Sequence, residues 1–311
     1  MPPLSPRPVL WPDRLALPVI AAPMTAVSSV ELVLCACRHG VIGSFPTHNA
    51  RSASELADWL RRLSAELDVA AAPVAPNLVV HRSNPRRTAD LQVLTDHGVE
   101  LVITSVGSPA PVVGPLHDAG ALVFADVASL DQASRAIDAG VDGLVLLTAG
   151  AGGQTGWANP FAFTRAVRQR FDGPLVLAGG ITDGRSVLAA QVLGADFVYL
   201  GTRFIATHQS AASADYRRAL VASTLDDVRL SDRVGGIPAS LLGCWLDAQE
   251  PPSTAPAGSG FAQEQLLSNR DAWSAGHSVS GVHEIVDAGV LVDELVMGYR
   301  HAWGDLTAVP R

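Results

Sequence analysis

The chain has 311 residues, of which 48 % are hydrophobic and 17 % are charged, so it is long enough for one large core and is not a disordered protein. Its formal net charge is −8, and it shows no basic patch of the kind that binds nucleic acid. All 22 basic residues are arginine, which excludes a mechanism based on a lysine Schiff base.

The cysteines and the apolar runs predict the compartment in which the protein is located. Cys35, Cys37 and Cys244 have neither the spacing of a metal site nor that of a disulfide framework, which indicates a reducing compartment. No stretch resembles a signal peptide, and no apolar run approaches membrane-spanning length. We therefore expect a cytoplasmic protein that binds neither membrane nor metal.

Short apolar segments alternate with amphipathic ones over the first two thirds of the chain. The segments predicted as strands are residues 19–24, 41–45, 74–80, 101–106, 121–127, 143–149, 175–177 and 197–200. Helices are predicted between them, at residues 28–38, 52–67, 86–97, 109–119, 131–139, 160–170 and 185–193. Strict alternation predicts a parallel sheet, and eight units predict an α/β fold closed into a (β/α)8 TIM barrel. An open doubly wound sheet is the alternative, but its early glycine fingerprint is absent.

The pattern changes after residue 207. A helix is predicted at residues 211–224, mixed structure at 225–242, a low-complexity surface loop at 251–260 and a terminal helix at 287–302. We therefore expect two units. Residues 1–209 and 276–311 form the barrel with its terminal helix, and residues 210–275 form a small helical C-terminal cap over the carboxyl ends of the strands.

Glycines follow the last two predicted strands directly. Gly179 and Gly180 end the seventh unit's strand, and Gly201 with Thr202 follows the eighth. Glycine allows the backbone to approach a phosphate closely, and the loops after strands seven and eight are the usual phosphate site of such barrels. We therefore predict a phosphorylated cofactor here, and tight strand–helix turns are the alternative.

Four polar residues are candidates for contact with a ligand. Asn77 would be a buried amide without a partner in an apolar strand, which favours a ligand. His81 follows the third strand and is either an acid–base group or a surface turn residue. Asp126 ends the fifth strand as either a base or a helix cap, and the pattern favours the cap. Gln154 lies in a glycine loop that points to a substrate contact.

Other polar and aromatic residues are given plainer roles. His48 and His277 are predicted to be solvated loop residues. Arg203 either reaches the phosphate or pairs with a carboxylate near the rim of the barrel. Trp157 and Phe161 are predicted to pack in the core.

Taken in order, the short motifs resemble those of the nitronate monooxygenases, formerly called 2-nitropropane dioxygenases. The resemblance covers residues 19–302. The motifs are Ala22-Pro23-Met24, Asn77, the glycine loop at 150–156, Ala178-Gly179-Gly180, Gly201-Thr202-Arg203-Phe204 and Trp273-Ser274-Ala275-Gly276. The first five motifs, in one order on one barrel, are specific together, although each alone is weak.

The resemblance implies an FMN-dependent oxidoreductase. It implies that Pro23 and Met24 lie against the flavin ring and that Asn77 hydrogen-bonds to it. It assigns Gly152 and Gly153 to cofactor binding, and the phosphate to Gly179, Gly180, Gly201 and Thr202. The implied partners are a small substrate and O2 or another electron acceptor, and a homodimer is left open.

One position departs from the family's pattern. The family's glycine loop usually ends in a histidine that removes a proton from the substrate carbon, and here Gln154 stands there. A neutral amide is no base, so oxidation of a neutral nitroalkane is not expected. Three functions stay open: oxidation of a nitronate-like anion, reduction or desaturation of a C=C bond next to a carbonyl, and phosphate binding by a flavin-free barrel.

Overall fold

The computed structural model describes residues 10–249 and 260–308, so the predicted low-complexity loop lies outside the described residues except for its last position. Nine strands come first along the chain. They are β1 (Val19–Ala21), β2 (Ile42–Pro46), β3 (Val74–Val79), β4 (Leu101–Ser105), β5 (Leu122–Val127), β6 (Gly143–Leu147), β7 (Gly153–Gln154), β8 (Leu175–Ala178) and β9 (Phe197–Leu200).

Eight of these strands, all except β7, form one closed parallel barrel. The barrel closes because β1 pairs with both β2 and β9, where Ile20 is in register with Ile42 on one side and Tyr199 on the other. The predicted TIM barrel is therefore confirmed. The short apolar runs were readable as strands because parallel strands are covered on both faces.

The helices of the barrel follow its strands, and the first seven begin within two residues of their predicted starts. They are α1 (Val30–Arg38), α2 (Ala53–Glu66), α3 (Arg87–Asp96), α4 (Ala110–Asp118), α5 (Leu130–Asp138), α6 (Pro160–Arg168), α7 (Gly184–Leu193) and α8 (Thr202–Ile205). The side chains of Ser29, Ser52 and Asp183 each accept a hydrogen bond from the first turn of their helix. Ser129 does the same for α5, so the expected cap role of Asp126 is wrong.

Two apolar clusters separate the inside of the barrel from its outside. The inner cluster contains Ile20, Phe124 and Phe197, and the outer one packs the other strand faces against the helices. Because alternate residues of a strand point to opposite faces, each inward residue is followed two positions later by another inward residue nearer the carboxyl end. This alternation decides which side chains reach the mouth of the barrel.

The segment after the barrel is more than a helical cap. It contains α9 (Ala214–Ala222), β10 (Val228–Ser231), β11 (Ala239–Leu242), α10 (Gly243–Asp247) and α11 (Gln263–Ser268). Strands β10, β11 and β7 form a three-stranded antiparallel sheet, so the glycine loop of the barrel supplies an edge of the cap. The predicted helical cap therefore also contains a sheet, whose strands β10 and β11 fall in the segment predicted as mixed structure, and the division at residues 210 and 275 stays a prediction.

The terminal helix α12 (Ala288–Ala308) returns to the barrel and packs on α7. The contact depends on Gly184, where an added Cβ would lie 2.0 Å from the backbone nitrogen of Tyr299. None of the described helices is both long and apolar enough to cross a membrane.

We predict that Gly184→Ala lowers the melting temperature, because the new methyl group must push two helices apart and overpacking costs about 1–3 kcal/mol. Gly304→Ala is the matched control, since Gly304 is exposed in α12 and a Cβ added there would meet no neighbouring part of the molecule within 4 Å. There the exchange should leave stability unchanged or raise it by about 1 kcal/mol. Equal melting temperatures for the two variants would contradict this account of the α7–α12 contact.

Candidate active site

A cavity opens at the carboxyl ends of the barrel strands, beneath the cap. Every residue predicted for the site lines it except His81. These lining residues are Pro23, Met24, Asn77, Asp126, Gly152, Gly153, Gln154, Gly179, Gly180, Gly201 and Thr202. Residues from six different strand ends and loops thus meet at one place, as the parallel arrangement predicts.

One wall of the cavity is built from the glycine turns after β8 and β9. Gly179 has φ +126° and Gly180 has φ +73°, conformations that other residues rarely adopt. A Cβ on Gly179 would lie 2.4 Å from Thr148 Oγ1, whereas Gly180 faces open space. A Cβ on Gly201 would lie 3.6 Å from Met24 Sδ, which places the ends of β1 and β9 side by side. The turns leave room where a phosphate would need it.

The predicted closing motif covers the glycine loop. The backbone N–H of Gly276 donates to Thr202 Oγ1 at 3.0 Å, and the N–H of His277 donates to the carbonyl of Gly150 at 2.9 Å. A Cβ on Gly152 would lie 2.8 Å from the backbone nitrogen of Gly276. The closing motif, the glycine loop and the turn after β9 therefore hold one another, and the hydrogen of the Thr202 hydroxyl is left to donate.

Asn77 is fixed with its donor group unpaired. Its residue is 4 % exposed, its Oδ1 accepts a hydrogen bond from Ser105 Oγ at 3.0 Å, and its Nδ2 has no partner among the described residues. A buried amide that keeps an unpaired N–H is costly unless a ligand accepts from it. The expectation of a ligand-facing amide at this position agrees with this geometry.

Asp126 and Tyr199 lie on inward positions at the carboxyl ends of β5 and β9. Asp126 is half-buried, but its Oδ1 is shut off from solvent and unpaired among the described residues, as is the hydroxyl of Tyr199. Burial raises the pKa of Asp126 to about 8. Burial, with a smaller effect of the Asp126 charge, raises the pKa of Tyr199 well above its ordinary value.

His48 is buried in the wall of the cavity, so the prediction of a solvated loop residue was wrong. It lies in a short 3₁₀ helix after β2, Thr47–Asn49, and its Nε2 is 3.0 Å from Thr25 Oγ1. Its Nδ1 has no partner among the described residues. Burial, and then the charges of Arg86 and Arg270, lower the pKa of His48 to about 4, so the imidazole is neutral near pH 7.

Asn49 holds the loop that carries Thr25. Its Oδ1 accepts from the N–H of Ala26 at 2.9 Å, and its Nδ2 donates to the carbonyls of Met24 and Ser28 at 3.0 and 3.1 Å. Ala26 has φ +58°, a strained backbone for a residue with a side chain. The three hydrogen bonds of one buried amide thus fix the loop in which Pro23 and Met24 reach the cavity.

Gln154 lies where the barrel meets the cap. It belongs to β7, pairs with Ala239 of β11 and lines the cavity. The structure therefore brings the amide that replaces the expected histidine to the place where a substrate contact was predicted.

His81 is not brought to the cavity. Its Nδ1 lies 2.8 Å from Ser83 Oγ, and its ring stands edge-on to Phe261 with centroids 5.3 Å apart. His81 lies in the bend after β3, which is one of the two alternatives predicted for it, and it is not among the residues that line the cavity.

Three other expectations are decided by the structure. Arg203 pairs with Glu294 at 3.2 Å, which confirms the ion pair at the rim. His277 is exposed, as predicted. Trp157 and Phe161 are 86 % and 61 % exposed, so the prediction that they pack in the core was wrong.

Four polar atoms in this cavity wall are buried and unpaired: His48 Nδ1, Asn77 Nδ2, Asp126 Oδ1 and Tyr199 OH. They are half of all such side-chain atoms in the described residues, which indicates a polar ligand rather than poor packing. With a glycine-lined recess on one side, the donor set fits a planar cofactor that carries a phosphate. The fold and the site together define a cofactor-dependent barrel enzyme.

The comparisons with known proteins identify the family. The family model described as nitronate monooxygenase matches residues 45–296, so the chain belongs to the nitronate monooxygenase family, which is flavin-dependent. A nitronate monooxygenase of Paraburkholderia phytofirmans is 30 % identical over 256 residues, 69 % of each chain. The chain is accordingly an oxidoreductase.

Other similar proteins carry different names. A relative from Mycobacterium tuberculosis is named as a dehydrogenase of a hydroxy-methyl-oxo-octahydroindene-carboxyl-CoA. It is 26 % identical, over 72 % of this chain and 62 % of its own length. The solved structure of FabK from Thermotoga maritima superposes with a TM-score of 0.82 and 23 % identity over 95 % of this chain and 96 % of its own. The solved structure of a nitroalkane oxidase from Streptomyces ansochromogenes superposes with a TM-score of 0.80 and 24 % identity, over 94 % of this chain and 99 % of its own. At these identities the two structures show the fold alone.

Sequence reasoning missed His48, Tyr199 and Arg270, all of which line the cavity. Tyr199 could have been found, because it lies two residues after inward-facing Phe197 at the end of a predicted strand. His48 and Arg270 carry no such signal, since each lies outside the barrel strands, in a segment whose path depends on packing.

We predict that His48 makes the flavin-free protein sensitive to acid. Its folded pKa of about 4 lies below the ordinary value near 6.5, so the unfolded chain takes up the proton first. The stability that depends on neutral His48 is present above about pH 6.5 and is lost as the pH falls to about 4, by up to about 3 kcal/mol.

His48→Gln should remove that dependence, so its stability relative to wild type should improve between pH 7.5 and 4.5 in thermal or urea unfolding. His277→Gln, at an exposed position, is the control and should follow wild type. Parallel pH curves for wild type and His48→Gln would show that the imidazole is not held neutral.

Proposed function

We propose that the cofactor is FMN and that its phosphate lies at the turns after β8 and β9. The support is the open, glycine-lined recess at Gly180 and Gly201, together with the hydroxyl hydrogen that Thr202 has left to donate. Glycine turns at this end of a barrel are suited to phosphate. The glycine loop, with Gly152 and Gly153, would close over the cofactor from the side of the cap.

The flavin ring is proposed to lie over the mouth of the barrel. Pro23 and Met24 would contact it from the loop that Asn49 holds in place. Asn77 would donate from Nδ2, the atom that Ser105 leaves unpaired. When bound, FMN supplies an acceptor for two electrons that can pass them to O2 or to another acceptor.

The reaction proposed is the oxidation of a small nitronate-like anion with O2. The observation that carries it is Gln154 in the cavity wall, because an amide orients an oxygen through hydrogen bonds but removes no proton from carbon. A substrate that arrives already ionised needs no such base. Arg270, which lines the cavity at an exposed position, favours an anion electrostatically.

A second candidate function is the reduction or desaturation of a C=C bond next to a carbonyl. Gln154 also favours it, because an enone needs a polarised carbonyl more than a carbon base. A relative named as a CoA-thioester dehydrogenase supports this class of substrate.

A flavin-free phosphate-binding barrel is disfavoured by membership of a flavin-dependent family. A homodimer and a cytoplasmic location stay predictions from the sequence.

Purified protein reconstituted with FMN tests the proposal and separates the two reactions. We expect a bound-flavin spectrum and oxygen consumption with ethylnitronate. Rapid bleaching of the flavin by NADH or NADPH under anaerobic conditions, restored by an enone, would favour the second reaction instead. Protein that stays colourless with added FMN would contradict both.

We predict that Gln154→His gives the enzyme activity on neutral nitroethane, because an imidazole in this place can remove the proton from carbon. Positioned bases contribute about 10²–10⁴-fold, so the gain in kcat/KM should be measurable by oxygen consumption. Gln169→His, at an exposed helix end away from the cavity, is the matched control. No gain at residue 154 would mean that Gln154 does not contact the substrate.

A further inference from the structure

Two ionisable side chains share the upper layer of the barrel interior. Asp126 lies two residues after Phe124 on β5, and Tyr199 lies two residues after Phe197 on β9, so both side chains point inward and upward. Oδ1 of Asp126 and the hydroxyl of Tyr199 are buried and unpaired, and both residues line the cavity. A polar ligand in the cavity is placed to pair with both atoms, because no described residue of the protein does so.

The surroundings decide the protonation state of Asp126. Its Oδ1 has no hydrogen-bond partner among the described residues, and burial is the one cause of the raised pKa of its carboxyl group. Asp90 shows the contrast, because it is also buried but lies 2.8 Å from the guanidinium of Arg86. A carboxyl group that loses water without gaining a cation or a donor keeps its proton. The raised pKa of Asp126 agrees with this reading of the contacts.

Tyr199 keeps its proton for the same reason, since burial disfavours the phenolate and a charge on Asp126 would disfavour it further. The other titratable groups of the cavity wall do not change this assignment. His48 is held neutral, Tyr216 donates its hydroxyl hydrogen to the carbonyl of Ser274 at 2.5 Å, and Arg270 is exposed. Asp126 and Tyr199 are thus two neutral groups with hydrogens to donate.

We propose that Asp126 and Tyr199 form a two-donor site for an oxygen atom that carries negative charge, in which the carboxylic acid and the phenol each donate one hydrogen bond. The ligand class is a planar conjugated oxyanion. Its oxygen belongs either to a nitronate or enolate substrate or to the pyrimidine edge of the flavin. No proton is transferred, since the pair stabilises charge only through hydrogen bonds.

Physical chemistry favours donors of this kind in this place. A hydrogen bond to a charged acceptor is roughly twice as strong as a neutral one, and it is strongest where water is excluded. A carboxylic acid kept neutral by an apolar site can donate to an oxyanion at neutral pH, which an ionised carboxylate cannot do. The sequence allowed Asp126 to be a base or a helix cap; Ser129 caps the helix, and the proposed role of Asp126 is that of a donor rather than a base.

The identity of the ligand rests on the proposed function, but the protonation of Asp126 does not, so flavin-free protein tests it first. Infrared spectra at pH 6.5 should show a carboxylic-acid carbonyl band that Asp126→Asn removes and Asp90→Asn leaves. The raised folded pKa also means that stability is lost as the pH rises from about 4 to about 8. The melting temperature of Asp126→Asn relative to wild type should rise over that range and then level off. Absence of the band, or a flat difference, would overturn the proposal.

Three variants then test the donors. Asp126→Asn still offers an N–H donor at this position, Asp126→Leu offers no donor, and Tyr199→Phe removes the hydroxyl donor. Binding of ethylnitronate is measured with flavin-free and FMN-loaded protein, and FMN affinity and reduction midpoint are measured beside it. Asp126→Leu and Tyr199→Phe should each weaken the binding of one ligand by about 10- to 100-fold, and Asp126→Asn should weaken it by less.

The two sources of the oxygen give different results. Weaker ethylnitronate binding with unchanged FMN affinity and midpoint assigns the oxygen to the substrate. Weaker FMN binding with a lowered midpoint, and unchanged ethylnitronate binding, assigns it to the flavin. Unchanged affinity for both, or an Asn variant as damaged as the Leu variant, would overturn the donor pair. If wild-type protein does not bind FMN, but the Asp126 and Tyr199 variants bind ethylnitronate more weakly than wild type, the result would refute the cofactor and support the donor pair.

Discussion

The barrel interior ends in a polar layer, and this layer is the constraint on which the site depends. Below it the inward side chains are apolar and fill the barrel. At the carboxyl end the alternation brings up Asn77, Ser105, Asp126 and Tyr199 instead. Ser105 satisfies only the acceptor of Asn77, and the remaining polar atoms find no partner among the described residues. An interior that ends in unpaired polar atoms is stabilised by a polar ligand that pairs with them.

The cap and the barrel depend on each other through the glycine loop. The loop leaves the barrel after β6, gives two residues to the cap sheet and is held by the segment around Gly276. Thr202, just after the last strand, joins the same set of contacts through its hydroxyl oxygen. Because Gln154 lies in this shared strand, a shift of the cap would move the proposed substrate contact and the proposed cofactor recess together.

The barrel and the glycine recess could be predicted from the sequence, because both follow from local rules. Buried parallel strands appear as apolar runs, and Ser29, Ser52 and Asp183 indicate helix starts. The cap sheet could not be predicted, because β7 is two residues long and exists only by pairing with β11. His48 was assigned to the wrong environment, and His81 was left between a catalytic and a turn position, for a similar reason. A turn's direction and a loop's burial depend on packing partners distant in the sequence.

The chemistry of the site follows from which groups keep their protons. Gln154 removes the base expected in the glycine loop, His81 stands outside the cavity, and burial holds His48 neutral. The carboxyl group that remains, Asp126, has no cation to ionise it among the described residues. The described residues of this cavity therefore offer hydrogen-bond donors and acceptors, but no strong base is among them. Such a site suits a substrate whose negative charge already exists or develops on oxygen, as in nitronate oxidation and in enone reduction, and it does not suit one whose C–H bond must first be ionised, as in desaturation.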